Sequence, residues 1–507
     1  MKKDIKLLLI YLLIFYCSAS DAQFTSNIWC FGDSASIRFD NDQVLFSSVI
    51  SRGSCASICD SSGNLLFYAS SSPDALNAAT IRAGKVYSYN HSLMQGGDTI
   101  ICRAWYKELT IVPDPANVDL FYLFSAGVTS INGFFYSIID ISQNNGLGAV
   151  VQKNVQLQGS TFWANDGLAA VKHGNGRDWW VMVRDWSSSN DLFYFYLVAP
   201  TGVVLHHVQS IGDTLQPSFY RIEPSENGEL IAVCSAGGLI EVFDFDRCTG
   251  LLSNEFLIEH EAVSPAFPWY WDCELSFNNS LLYVSSNYTQ NDSNSYLFQY
   301  NLNDSNPSLT RDTLFSIKQP IVGGLLEMAP DSKMYWACNY DVPGMFPYPY
   351  PDTARNVYNE NLSVINYPDS LGVACDFQPF SFYLGGKRTY YGLPNNPNYE
   401  LGPDSGSVCD TITVGIENSA TGAKHSALFV FYHHEWQTVF INAKGLTGKK
   451  YLLTVVDLYG HTIHKREGKL NGPYFTYDLH FPDVADGLYV VSLITDKEVL
   501  SRKFVRQ

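Results

Sequence analysis

The chain is predicted to be all-β: a propeller of six or seven blades followed by a small Ig-like β-sandwich. Two observations predict it. Between Phe24 and about Pro397 one unit keeps returning, an apolar strand, a polar turn and an aromatic strand, at roughly the 50 to 60 residues a four-stranded blade occupies. From Tyr451 onward apolar and polar residues alternate in short runs with few helical periods, as half-buried strands do.

Residues 1–22 read as a signal peptide. Met1-Lys2-Lys3 and Lys6 supply a cationic start, Leu7 to Phe15 an apolar stretch, and Ser18 to Ala22 small residues, with cleavage expected after Ala22. The apolar run is shorter than the roughly 20 residues a spanning helix needs, and no later run is long enough. Phe15 and Tyr16 are too bulky to make Cys17 a lipidation site.

Residues 23–397 carry the propeller. The repeating turns are Asp60-Ser61-Ser62-Gly63-Asn64, Pro113-Asp114-Pro115, His173-Gly174-Asn175-Gly176, Pro224-Ser225-Glu226-Asn227-Gly228, Asn278-Asn279-Ser280 and Pro330-Asp331-Ser332-Lys333. Each precedes an aromatic or aliphatic strand such as Leu65-Leu66-Phe67-Tyr68 or Met334-Tyr335-Trp336, and a second hairpin follows, as in Ile240 to Asp246. A β-sandwich array would repeat at about 100 residues, twice this period. Six turns are visible; a seventh blade would form if Phe24 to Phe39 paired with the segment from Phe377 to Leu384, removing the free sheet edges. Residues 398–430, with Gly402-Pro403-Asp404-Ser405-Gly406, read as a linker, and residues 431–507 as the C-terminal sandwich.

Charged residues make up 16% of the chain, well below the usual quarter, so the surface is largely Ser, Asn, Tyr and Gly. The net charge of −18 argues against nucleic acid, whose phosphates need a basic footprint. That charge is uneven: from Phe431 onward ten Lys/Arg face eight Asp/Glu. Eleven cysteines fall to ten once Cys17 leaves, an even number consistent with disulfides in an exported protein. Cys55 with Cys59 and Cys234 with Cys248 are the nearest pairs, and buried free thiols are the competing reading.

Two resemblances follow from particular residues. Val455-x-Asp457-x-x-Gly460, then Gly487-x-Tyr489-x-Val491, then Lys503-x-Val505, resemble the type A C-terminal sorting domain of the type IX secretion system of Bacteroidota. The resemblance implies that Asp457, Gly460, Gly487, Tyr489, Lys503 and Val505 form a sorting signal read by that machinery. The expected address is secreted or attached to the outer-membrane surface after periplasmic transit. The usual opening "Y-P-N-P" is replaced by Phe429 to Trp436. The second rests on Trp29 to Asp33, Ile37 to Asp40, Gly63 to Tyr68, Asp244 to Gly250, Leu362 to Pro368, Cys375 to Pro379, Tyr383 to Gly386 and Gly392-Leu393-Pro394. These are similar to an exported Bacteroidota family with a WD40-like or quinoprotein-like propeller. Its members are often gliding-associated and frequently carry the same sorting module. It implies architecture and brings no catalytic residues.

No catalytic, cofactor-binding or metal residues are assigned. Gly32-Asp33-Ser34 resembles the nucleophile turn of GDSL esterases, but the partner "D-x-x-H" is absent. His433-His434-Glu435 would need a His at Thr438 to make a zinc motif. Asp244-Phe245-Asp246 and Asn301-Leu302-Asn303-Asp304 offer alternating oxygen donors without a full calcium loop, leaving calcium open. Trp179, Trp180, Trp186, Trp269, Tyr270, Trp271 and the Pro347-Tyr348-Pro349-Tyr350-Pro351 loop are candidates to stack on sugars or peptides, although blade interfaces also consume aromatics. Asp272 with Glu274, or Asp185 beside Trp186, are the carboxylates that glycoside chemistry would use. The expected function is a non-catalytic propeller binding a glycan or protein partner; the alternative is a secreted glycoside hydrolase or polysaccharide lyase.

Overall fold

The computed structural model describes residues 25–507 except 74–83, 103–104, 128–132, 186–190, 214–219, 261–268, 290, 341–347, 411–426, 434–436, 445, 458–460, 471–474, 482–483, 486, 498 and 507. The expected signal peptide, Trp186, Pro347, His434, Glu435 and Gly460 lie outside the described residues. Two compact units divide the chain: residues up to 402, and residues 403–507 together with 174–177.

The first unit is built from seven meander sheets in chain order. Sheet 1 holds β1 (Ile28–Phe31), β2 (Asp33–Arg38) and β3 (Gln43–Ile50), and sheet 2 holds β4 (Cys55–Cys59), β5 (Leu65–Ser70) and β6 (Lys85–Ser88). Sheet 3 holds β7 (Leu109–Pro113), β8 (Leu120–Gly127), β9 (Gly133–Asp140) and β10 (Ala149–Gln158). Sheet 4 holds β11 (Ala164–Lys172), β12 (Trp179–Asp185), β13 (Leu192–Ala199) and β14 (Gly202–Ser210). Sheet 5 holds β15 (Tyr220–Pro224), β16 (Leu230–Ser235), β17 (Leu239–Asp246) and β18 (Leu251–His260). Sheet 6 holds β19 (Trp269–Leu275), β20 (Leu281–Asn287), β21 (Asn294–Asn301) and β22 (Asp312–Lys318). Sheet 7 holds β23 (Ile321–Met328), β24 (Met334–Tyr340), β25 (Asn361–Ile365) and β26 (Phe377–Tyr383).

The cores prove that these sheets close a ring. Cys30 and Tyr68 share a core between sheets 1 and 2, Phe67, Phe124 and Val181 join sheets 2, 3 and 4, and Trp180 with Phe243 joins 4 and 5. Cys234 with Tyr270 joins 5 and 6, Tyr283 with Trp336 joins 6 and 7, and Trp29 with Tyr335 returns from 7 to 1. The inner strands of the blades are therefore buried on both faces, which is why they read as near-continuous apolar runs. The fold is a seven-bladed propeller.

The six turns read from the sequence all join the first strand of a blade to its second. Their backbone closures match: Asp60 N to Asn64 O, Asp114 N to Leu120 O, His173 N to Asp178 O, Ser225 N to Leu230 O, Ser276 N to Leu281 O and Ala329 N to Lys333 O. Blade 1 escapes this pattern because β1 and β2 are joined by Gly32 alone, at φ +61°.

Ring closure differs from the expected strand pairing. Phe377–Tyr383 pairs with β25, whereas β1 pairs with β2 inside its own sheet. The chain instead closes through a strap after β26. Arg388 forms a bridge with Asp33, and its guanidinium Nη2 lies 2.6 Å from the Asp33 carboxylate. Leu325 N donates to Tyr391 O, Tyr391 N to Arg52 O and Asn395 N to Cys55 O. Asn395 Nδ2 donates to Leu109 O and Leu168 O, and Tyr399 Oη to Ile111 O. A strap of backbone and amide bonds thus reaches blades 7, 1, 2, 3 and 4, where strand pairing would have joined two.

The cysteine pairs suggested by sequence are not bridged. Cys55, Cys59 and Cys234 are free and buried, as are Cys30, Cys102, Cys273, Cys338 and Cys375, whereas Cys248 and Cys409 are each in disulfide form. Cys55 and Cys59 lie on one strand four residues apart, about 13 Å, too far to bond.

The second unit is a sandwich. One sheet pairs β27 (Ala427–His433), β28 (Thr438–Lys444) and β31 (Phe475–His480); the other orders β30 (Thr462–Lys469), β29 (Lys450–Asp457), β32 (Gly487–Thr495) and β33 (Val499–Arg506). Val439, Ile441 and Leu479 from the first face Leu453, Val491 and Phe504 from the second in one core.

Candidate functional site

Each inner strand runs into its turn two residues after a position that recurs from blade to blade. Counting back two from the closing residues Ser225, Ser276 and Ala329 gives Glu223, Glu274 and Glu327. The same count in blades 2, 3 and 4 gives Ile58, Val112 and Val171. Half of the ring is therefore acidic and half apolar at one level.

The acidic half surrounds a single buried ammonium. Lys107 Nζ lies 2.5 Å from Glu223 Oε2 and 3.7 Å from both Asp272 Oδ1 and Glu327 Oε2. Asp272 also accepts a hydrogen bond from Leu326 N at 2.7 Å. Lys107, even with the buried Arg221 guanidinium acting on Asp272, does not balance these carboxyls in a dry interior, so burial prevails. It raises Asp272 and lifts Glu274 and Glu327 well above the usual carboxylate range; the neighbouring carboxyls push Glu274 and Glu327 further up. Burial pushes Glu223 up to about 7 against the pull of Lys107, and Glu226 to about 7 with help from Glu223.

Glu223, Glu226, Glu274 and Glu327 line a cavity of about 350 Å³, which Trp29, Val171, Lys172, Phe277, Met328 and strap residues Asn395 to Leu401 complete. Lys172 adds one ammonium to the lining. Its Nζ donates to Tyr399 O, its charge lies over the Trp179 ring at 4.9 Å, and burial holds it down at about 8. The strap amides are likewise spent: Asn398 Nδ2 donates to Glu226 O and Oε2, and Asn396 Oδ1 accepts from Ser57 N. What the lining offers a ligand is carboxyl oxygen beside hydrocarbon.

Most residues singled out from the sequence have structural duties. Trp179, Trp180, Tyr270 and Trp271 are buried, and Tyr350 stacks on Tyr390 at 4.2 Å with Tyr348 beside them. Trp269 is the exception, 44% exposed at the opposite end of β19, bordering a shallow hollow with Tyr288, Asn291, Ser293 and Gln319. Asp272 and Glu274 do not form an open catalytic pair, because Asp272 is fully buried. Asp185 accepts from Trp163 N. Asp33 is held by Arg388, so Gly32-Asp33-Ser34 belongs to the ring closure. Asp246 caps its own turn through Cys248 N and Thr249 Oγ1, and Asn301 accepts from Asn303 N.

In the tail, Asp457 pairs with Tyr489 across β29 and β32, while Val505 pairs with Leu488 and Lys503 with Val490 across β32 and β33. The carboxylate of Asp457 accepts from His461 N at 2.8 Å, closing the turn, and Tyr489 Oη donates to Ala485 O. Five of the six proposed sorting residues thus gather at one end of a single sheet.

Lys107, Glu223, Glu226 and Glu327 were not singled out by sequence motifs. A signal exists, a glutamate two residues before the turn in three successive repeats, but it emerges only when the repeats are aligned on the closing bond.

No family model matches the chain, and no curated protein matches it. Solved structures with similar strand arrangements include the β-propeller domain of Cps50 (Swd1) from Myceliophteria thermophila, at 10% identity and TM-score 0.36 over 62% of this chain and 90% of that one. A quinonprotein alcohol dehydrogenase-like protein from Bacteroides thetaiotaomicron matches at 9% and 0.36, covering 68% and 73%. An ulvan lyase of polysaccharide lyase family PL25 matches at 8% and 0.34, covering 68% and 82%. Likenesses at this level say nothing about role; the propeller assignment rests on the seven sheets and their shared cores.

Proposed function

We propose that the chain is an exported, non-catalytic binding protein whose propeller holds part of a glycan in the cavity between its inner strands, with the C-terminal sandwich serving as a type IX secretion address. The observation that carries the binding role is the cavity itself, whose volume lies within the range of small-ligand sites and whose carboxyl groups converge from three blades. Its enclosure suits a single sugar residue better than a protein surface. The burial of Asp272 argues against glycoside chemistry, which needs two carboxyls facing one bond. A glycan array probed with the full mature protein, followed by incubation with each ligand found, tests this. Binding without turnover supports the reading; cleavage would replace it with the hydrolase or lyase alternative.

A further inference from the structure

We propose that the cavity selects a protonated primary amine carried on a sugar ring. This rests on the reading that the cavity binds a glycan. Glu274 is 3% exposed, lines the cavity, and makes no hydrogen bond or ion pair among the described residues. Glu327 is 7% exposed, and its Oε2 has only Lys107 Nζ at 3.7 Å, beyond hydrogen-bond reach. Two nearly buried carboxyls therefore point at the cavity with their bonding capacity unspent, on a wall where Glu223 and Asp272 already occupy Lys107. An ammonium supplies three donors and a positive charge to these carboxyls.

The rest of the lining narrows the ligand. An anion would meet five carboxyl groups, Glu400 included, against the single ammonium of Lys172 in the lining. A neutral sugar could bond the acids but would leave their charge unbalanced or their protons in place. Ala169, Ala170, Val171 and Leu401 complete the lining with hydrocarbon of the kind that packs against the C–H face of a pyranose. The carboxyls are already desolvated by the fold, so the ligand's own dehydration is the main cost of forming the pair.

Calorimetric titration of the full mature protein with glucosamine, glucose, N-acetylglucosamine and Nα-acetyl-lysine amide separates the outcomes. The expected result is that glucosamine binds at least about tenfold more tightly than the two neutral sugars, as a charge-assisted hydrogen bond provides. Repeating the titration in buffers of different ionisation enthalpy should show proton release on binding. Glu274→Gln should abolish most of that preference while preserving the thermal transition. Equal binding of glucose and glucosamine would overturn the amine selectivity and leave the glycan reading intact. Tighter binding of the lysine amide would make the ligand a protein side chain. Binding of none of the four would overturn the amine inference, whereas the array result would decide the glycan reading separately. An unchanged preference in Glu274→Gln, with Glu327→Gln equally silent, would remove the assignment to this wall.

Discussion

Lys107 Nζ lies 2.5 Å from Glu223 Oε2, a contact that joins the strand entry of blade 3 to the inner strand of blade 5 across the ring. Carboxyls of blades 6 and 7 share the same ammonium. Replacing Lys107 by Met removes the ammonium that Glu223, Asp272 and Glu327 share. Breaking one side of a buried ion pair costs about 3–5 kcal/mol. Urea denaturation at pH 7.5 should show a loss of that size, smaller at pH 5, where the acids are protonated.

Stability should fall as pH rises through neutrality. Glu223 and Glu226 are held at about 7, whereas an ordinary glutamate sits at 4.5. Between those values the folded chain keeps protons that the unfolded chain has released, so their contribution is complete below about 4.5 and lost as pH climbs through about 7. Lys107, raised by the surrounding carboxyls, stays charged across that window. Glu226→Gln should flatten the slope of the urea midpoint between pH 5 and 8, and an unchanged slope would refute the assignment.

Gly392 approaches Gly53 so closely that a Cβ at Gly392 would lie 2.1 Å from the Gly53 Cα. The obstruction is backbone, which cannot swing aside. Gly392→Ala should cost at least the upper end of the about 1–3 kcal/mol typical of overpacking, read as a lowered melting temperature.

The eight free cysteines are all buried, and burial pushes Cys30 and Cys59 up to about 12. A thiol reagent at pH 8 should find them unreactive in the native protein and reactive in guanidinium. Rapid native labelling of Cys55 or Cys234 would contradict their placement.

Export is tested by removing residues 427–507, which comprise every strand of the sandwich. The propeller has its own cores and should stay folded by circular dichroism while accumulating in the periplasm. Arrival of the truncated chain at the surface or in the medium would rule out the sorting role.

The parts legible in the sequence were those written in turn chemistry. Asp60, Asp114, Ser225 and Ser276 punctuate the chain because their side chains satisfy nearby backbone amides, and that signature survives without knowledge of tertiary contacts. Blade 1 lacked it because one glycine makes its turn. The strap was illegible for the opposite reason. Its Asn- and Pro-rich stretch has no period, and its meaning lies in carbonyls such as Leu109 O and Leu168 O contributed by strands more than 200 residues earlier. The acid wall was hidden likewise: Glu223, Glu274 and Glu327 are isolated glutamates in apolar strands until the blades are laid side by side.

The strap also sets an order of events. Asn395 needs the first strands of blades 3 and 4, and Arg388 needs the second strand of blade 1, so these bonds cannot form until distant parts of the ring exist. The ring is laced last, by the final residues of the propeller to leave the ribosome. A chain stalled before Arg388 would hold seven blades with their seam untied, and the cavity wall formed by Asn395 to Leu401 would be missing. Binding competence would then report that the seam has closed.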